Sequence, residues 1–148
     1  MVPRLPAGQA ELYAAEHDTI DRAGLRWRRL AEAQAYVDGL IGSDWFFERW
    51  PHFVRGVVER RGAGSSWSTC QALDRGAPDG SPSEGVILVA DGALTQAVVL
   101  HELAHLLLPP DRGHDAAFVE TLLTLVRHEM GFFAFAEYQQ ALRQSGRR

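Results

Sequence analysis

Leu94-Thr-Gln-Ala-Val-Val-Leu-His101-Glu-Leu-Ala-His105-Leu-Leu-Leu-Pro109-Pro-Asp-Arg-Gly-His114 carries the densest structural signal in the chain. Residues 94–108 hold no helix breaker and predict a helix. Pro109 and Pro110 end it, because the proline ring removes a backbone donor and clashes with the preceding turn. Asp111, Arg112 and Gly113 supply turn chemistry, so the chain reverses and a second helix is expected to start near His114 or Asp115. Within the first helix, His101-Glu102-Leu103-Ala104-His105 forms an H-E-x-x-H pattern. Four helical residues rise about 6 Å and rotate about 40°, so both imidazoles leave one face at a separation that a single ion bridges. Glu102 lies beside that face and is placed to act on a water as a general base without being a ligand.

A catalytic zinc takes three protein ligands and keeps one position open. His114, at the start of the next helix, is the expected third ligand, with the Pro-Pro-Asp-Arg-Gly turn folding it over the metal. Asp115 is its nearest competitor and otherwise caps the helix. Glu120 is disfavoured, since six helical positions from His114 turn it about 240° onto another face, and His128 lies about 21 Å along the same helix. The expected site is therefore His101, His105 and His114 around one zinc ion, with Glu102 catalytic. Such a zinc would acidify a water toward a pKa of about 7 and polarise a carbonyl, while Glu102 carries the proton to the leaving amine. Imidazole ligands also accept iron, nickel or copper. Arg127, Tyr138 and His128 are the candidates for stabilising the oxyanion, each with a structural role as the alternative.

Outward from this stretch the pattern is mixed. Phe118, Leu122 and Leu125 mark the buried face of the second helix, ending near Gly131, and a last amphipathic helix follows over about 132–144. Residues 9 to about 50 read as helical, with Leu30, Ala33, Val37, Leu40 and Ile41 at helical spacing and Gly42-Ser43-Asp44 as a stop and a new cap. Trp45, Phe46, Phe47 and Trp50 form an aromatic cluster expected to plug the core. Phe53, Val54, Val57 and Val58 suggest one strand, residues 66–73 a second and 86–89 a third, with Gly62, Gly64 and residues 76–85 as connections. Residues 86–89 could pair with an extended peptide as an added strand. The expected fold is α+β: a small, mostly antiparallel sheet packed on helices, with an H-E-x-x-H helix and two C-terminal helices, in a single domain over residues 1–148.

Composition excludes several classes. The chain has 148 residues, 46% of them hydrophobic and 23% charged, which is an ordinary globular profile rather than a disordered one. The single cysteine, Cys70, rules out an internal disulfide and a cysteine zinc cluster, and is read as a small packed residue. All 15 basic residues are arginine, so a lysine nucleophile or a P-loop is excluded. Three of the six histidines fall within residues 101–114, whereas His17 and His52 lack ligand spacing. The net charge of −4 argues against generic nucleic-acid binding. The arginine clusters at Arg22, Arg26, Arg28 and Arg29 and at Arg55, Arg60 and Arg61 are expected to be solvated faces. Residues 1–15 lack the apolar run of a signal peptide and no stretch is apolar enough to span a membrane, so a cytoplasmic location is expected.

His101-Glu-Leu-Ala-His105 followed by His114-Asp-Ala-Ala-Phe118 resembles the signature of SprT-like metallopeptidases, in which an H-E-x-x-H helix precedes a histidine, usually within H-G-x-x-F. Asp115 stands where that family usually has glycine. Leu12-Tyr13-Ala14-Ala15-Glu16, Val99-Leu100 and residues 122–127 are also similar to a small family of metallohydrolases from high-GC Gram-positive bacteria. The likeness covers most of the chain, but only the histidine motif is specific. It implies a zincin-like α+β fold and zinc-dependent hydrolysis of a peptide or protein, without naming the substrate. Two other readings stand beside it: a non-catalytic domain with a structural metal, and a SprT-like protease acting on nucleic-acid-bound proteins, which the acidic balance disfavours. The sequence carries no signal of oligomeric state.

Overall fold

In the computed structural model, residues 9–62, 68–110 and 113–145 are described. Gly64, the first two residues of the expected second strand, and the turn residues Asp111 and Arg112 lie outside the described residues. The N-terminal third is helical but broken into four pieces: α1 (Gln9–Asp18), α2 (Ile20–Ala23), α3 (Leu30–Ile41) and α4 (Asp44–Arg49). The break between α2 and α3 has a clear cause. There the backbone pairs with a distant segment, Trp27 N donating to Leu94 O at 3.0 Å and Gln96 N to Leu25 O at 2.9 Å. These bonds fix the approach to the later H-E-x-x-H segment.

Helix α3 buries Ala33, Val37 and Leu40, the stripe its spacing predicts. Ser43 caps α4, its hydroxyl accepting from Phe46 N at 3.2 Å. Only part of the aromatic cluster on α4 plugs the core: Phe46 is fully buried, Trp45 and Trp50 are half-buried against it, and Phe47 is exposed.

Three strands follow: β1 (Arg55–Arg60), β2 (Thr69–Ala72) and β3 (Glu84–Val89), in the order β1-β3-β2. Pairing of β1 with β3 is parallel, in register from Arg55↔Glu84 to Arg60↔Val89, and pairing of β2 with β3 is antiparallel. The sheet is thus mixed, not mostly antiparallel. Because β3 inserts between β1 and β2 and two chain reversals separate it from β1, those two strands run the same way. Phe53 and Val54 precede the strand expected to contain them, and Glu84 and Gly85, expected in a loop, already pair in β3.

On the sheet's covered face lie Gly56, Val58, Gly85, Ile87 and Val89, all buried and two residues apart along each strand. Gly56 and Gly85 are register partners. A Cβ on Gly56 would sit 3.2 Å from Val37, and one on Gly85 would sit 2.6 Å from Leu106. The two glycines therefore let α3 and α5 press onto the same face.

The C-terminal half contains α5 (Gln96–Leu106), α6 (Ala116–Met130) and α7 (Phe132–Gln144). Thr95 caps α5 by accepting from Val98 N, and Asp115 caps α6 by accepting from Phe118 N at 2.9 Å, the role expected of it when it is not a ligand. Gly131, at φ +92°, makes the corner into α7, a conformation that favours glycine. Phe118, Leu122 and Leu125 are fully buried, as are Tyr138 of α7 and Leu100 and Leu103 of α5. The architecture is α+β. Among the described residues no helix is long and apolar enough to cross a membrane.

Candidate metal centre

His101, Glu102 and His105 all lie on α5, whose other faces carry Val99, Leu100, Leu103 and Leu106 into the core. His114 lies two residues before α6, where the reversal after Pro109 and Pro110 returns the chain. Nε2 of His114 is 3.1 Å from Nε2 of His101 and 3.1 Å from Nε2 of His105. Among the described residues these three histidines form the one group whose ligand atoms converge, all within 4.8 Å of one another. Glu102 stands outside the group although it adjoins His101 in sequence.

Imidazole chemistry makes that convergence informative. A ring nitrogen offers either one N–H or one in-plane lone pair. His114 Nε2 can therefore satisfy one neighbour at 3.1 Å but not both. A cation at the centre accepts all three lone pairs. Two nitrogens about 2.05 Å from a tetrahedral zinc are about 3.3 Å apart, close to the 3.1 Å that separates His114 from each of the other two rings. The donor set fits a divalent metal that favours imidazole.

Two further contacts order the rings. Nδ1 of His101 donates to Oε1 of Glu16 on α1 at 2.5 Å, which directs the Nε2 lone pair of His101 to the cluster. Metal-binding histidines almost always hold a partner of this kind. Phe118 packs under all three imidazoles, with ring centroids 4.9, 4.2 and 4.8 Å from His101, His105 and His114. That places the aromatic residue of the His114-Asp-Ala-Ala-Phe118 segment as the floor of the cluster.

The local electrostatics follow from burial. For His101, burial depresses the pKa, but the charge and hydrogen bond of Glu16 outweigh it and the net shift is upward. Burial, followed by His101 and His114, pushes His105 down to about 3, which keeps it in the neutral, ligating form. Burial raises the Glu102 carboxyl, Glu16 adds to the rise, and His101 and Arg61 oppose it. A carboxylate held above its ordinary range is a better proton acceptor for general-base work.

His101 and Glu102 open on a cleft of about 390 Å³, also lined by Tyr13, Glu16, Ser68 and Val98. Tyr13 and Glu16 are the site residues that the motif reading does not nominate. A signal for Glu16 does exist: Leu12, Glu16 and Ile20 recur at four-residue spacing, and all three are buried. An acid on a buried stripe demands a partner. Nothing local says that the partner is 85 residues away.

Other nominated residues lie elsewhere. Glu120, Arg127 and His128 line a separate groove with Trp45 and Phe135, where His128 stacks on Trp45 at 3.6 Å. Tyr138 is fully buried in the core. None of the three oxyanion candidates lines the cleft beside Glu102. Residues 86–89 cannot take an added strand, since β3 is central and paired on both edges; the outer strands are β1 and β2. Cys70 sits half-buried on β2, its thiol pushed up to about 12 by burial and then by Glu102, so it remains a packed thiol. His17 is exposed and faces Asp21 at 3.6 Å, and Arg22, Arg26, Arg28 and Arg29 are exposed. No family model, no curated protein and no solved structure matches the chain.

Proposed function

We propose that the protein is a zinc-dependent hydrolase of the zincin type, a metallopeptidase cutting a peptide or protein substrate. The observation that carries this reading is the convergence of three imidazole nitrogens with Glu102 beside them and outside the ligand set. His101, His105 and His114 would hold the ion, and Glu16 fixes the ring of His101. When bound, zinc supplies Lewis acidity, lowering the pKa of a water toward about 7 and polarising a carbonyl. Glu102 takes one water proton as the water oxygen bonds to the carbonyl carbon, and gives it to the nitrogen as the C–N bond breaks. An extended substrate can lie along the outer edge of β2, next to α5.

The test is a metal analysis of untagged protein together with hydrolysis of mixed peptide libraries. One zinc per chain is expected, lost in His101→Ala. Glu102→Gln should keep the zinc while turnover falls about 10²- to 10⁴-fold, the usual worth of a general base. Full turnover in Glu102→Gln, or zinc retained with no hydrolysis of any library by the wild type, removes the reading and leaves a structural metal site.

A further inference from the structure

Amide hydrolysis passes through a tetrahedral oxyanion, and a site that accelerates it faces that oxygen with a preorganised donor. The cleft beside Glu102 is rich in acceptors. Glu16, Asp21 and Glu102 all line it as carboxylates. Thr95 spends its hydroxyl proton on Asp21 at 2.9 Å, and His17 faces the same Asp21 from an exposed position at the rim. Ser68 is oriented by accepting from Ala90 N at 2.9 Å, at the end of β3.

Tyr13 differs from all of these in packing directly on the histidines. Its ring stacks on His101, with centroids 5.2 Å apart and planes 20° apart, and meets His114 edge-on at 5.8 Å. It lies three residues before Glu16 on α1, so one helix face presents both: Glu16 grips the edge of the His101 ring and Tyr13 covers its face. The phenol is thereby fixed against two members of the cluster. Among the described residues its hydroxyl has no hydrogen-bond partner, although the side chain is half-buried and lines the cleft with Glu102.

We propose that Tyr13 is a catalytic residue, its phenol O–H donating a hydrogen bond to the carbonyl oxygen of the scissile amide as that oxygen becomes the oxyanion. The assignment rests on the hydrolase reading above. As the water oxygen bonds to the carbonyl carbon, the carbonyl π electrons move onto the oxygen that Tyr13 faces, and Glu102 holds the water proton. On collapse the C=O bond reforms, the C–N bond breaks, and the proton passes from Glu102 to the departing nitrogen. Tyr13 keeps its own proton throughout. Its hydrogen bond strengthens only where charge develops, which accelerates the step rather than tightening substrate binding.

Calorimetric titration of zinc-loaded wild type and Tyr13→Phe with two probes tests this. One is an alanyl-alanine pseudopeptide whose amide is replaced by a phosphinate, a tetrahedral anion. The other is acetohydroxamate, a planar chelator of zinc. Tyr13→Phe keeps the stacked ring, so zinc affinity, read by competition with a chromophoric chelator, and acetohydroxamate affinity should be unchanged. Phosphinate affinity should fall about 10²-fold, the scale of one lost oxyanion donor. Equal phosphinate affinity in the two proteins overturns the assignment and leaves the metal reading intact. Parallel loss of zinc and both probes makes Tyr13 a wall of the metal site and overturns it too. A wild type that takes up no zinc overturns the hydrolase reading, and the assignment falls with it.

Discussion

At the scale of single residues, the pair that sets the site is Glu16 and His101. Both are almost fully buried, and their 2.5 Å contact joins α1 to α5. Orienting partners of this kind are worth 10- to 100-fold in metal affinity. Glu16→Ala should therefore weaken zinc binding by about that factor, and Glu16→Gln by less, because an amide oxygen still accepts from Nδ1. Competition with a chromophoric chelator measures both; an alanine variant that binds zinc as tightly as wild type would show that the contact only fills space. The contrast with the motif explains what a single sequence discloses at this scale. His101, Glu102 and His105 are legible because helical periodicity alone puts them together. His114 is legible because the proline turn returns it. Glu16 and Tyr13 reach the site through the packing of α1, and no local spacing encodes that. The same limit applies to the oxyanion: Arg127, His128 and Tyr138 are nominated by residue type alone, and the orientation of α6 and α7 takes them away from the cleft into the structural roles that stand as their alternative.

At the scale of elements, the position of α5 on the sheet depends on Gly85. With Leu106 buried at 2% exposure, a methyl group at Gly85 collides with its side chain, which must repack or carry the helix outward. Gly85→Ala is expected to destabilise the fold by about 1–3 kcal/mol, the usual consequence of overpacking. To the extent that α5 moves with Leu106, zinc binding should weaken too, since His101 and His105 ride on the same helix. Leu106→Ala placed on top of Gly85→Ala should restore much of the zinc affinity, a coupling that a double-mutant cycle reads directly. Additive losses would mean that the helix is held by its other contacts. The ends of the helices were legible because breakers and caps act locally. The Pro109 and Pro110 stop, the Asp115 cap and the Gly131 corner fall where α5, α6 and α7 end or begin. Strand order was not legible. The pairing of β1 with β3 is decided by which apolar faces α3 and α5 cover, and the periodicity within a strand is the same whichever neighbour it takes.

At the scale of the whole molecule, the proposed metal ligands and their supports come from α5, from the segment before α6 and from α1, so an ion there would tie α1 to the α5–α6 pair. The apolar core does not need that tie. Phe46, Phe53, Ile87, Leu122 and Tyr138 are fully buried and span elements from α4 to α7. The chain is therefore large enough to hold its fold without metal, unlike a zinc finger, whose small core forms only around its ion. Metal should add to stability by mass action. At free zinc 100-fold above the dissociation constant the gain is about 2.7 kcal/mol, which corresponds to roughly 5–10 °C in Tm for a chain of this size. Chelation should lower Tm by that amount while leaving one cooperative transition in near-UV circular dichroism and calorimetry, and added zinc should restore it. His114→Ala should abolish the zinc-dependent increment without unfolding the metal-free protein, because His114 is half-buried and packs its ring against Tyr13, Phe118 and the other two imidazoles at the site. A metal-free chain with no cooperative transition would reverse the assignment, making the ion a folding element and favouring the structural-metal reading over the hydrolase.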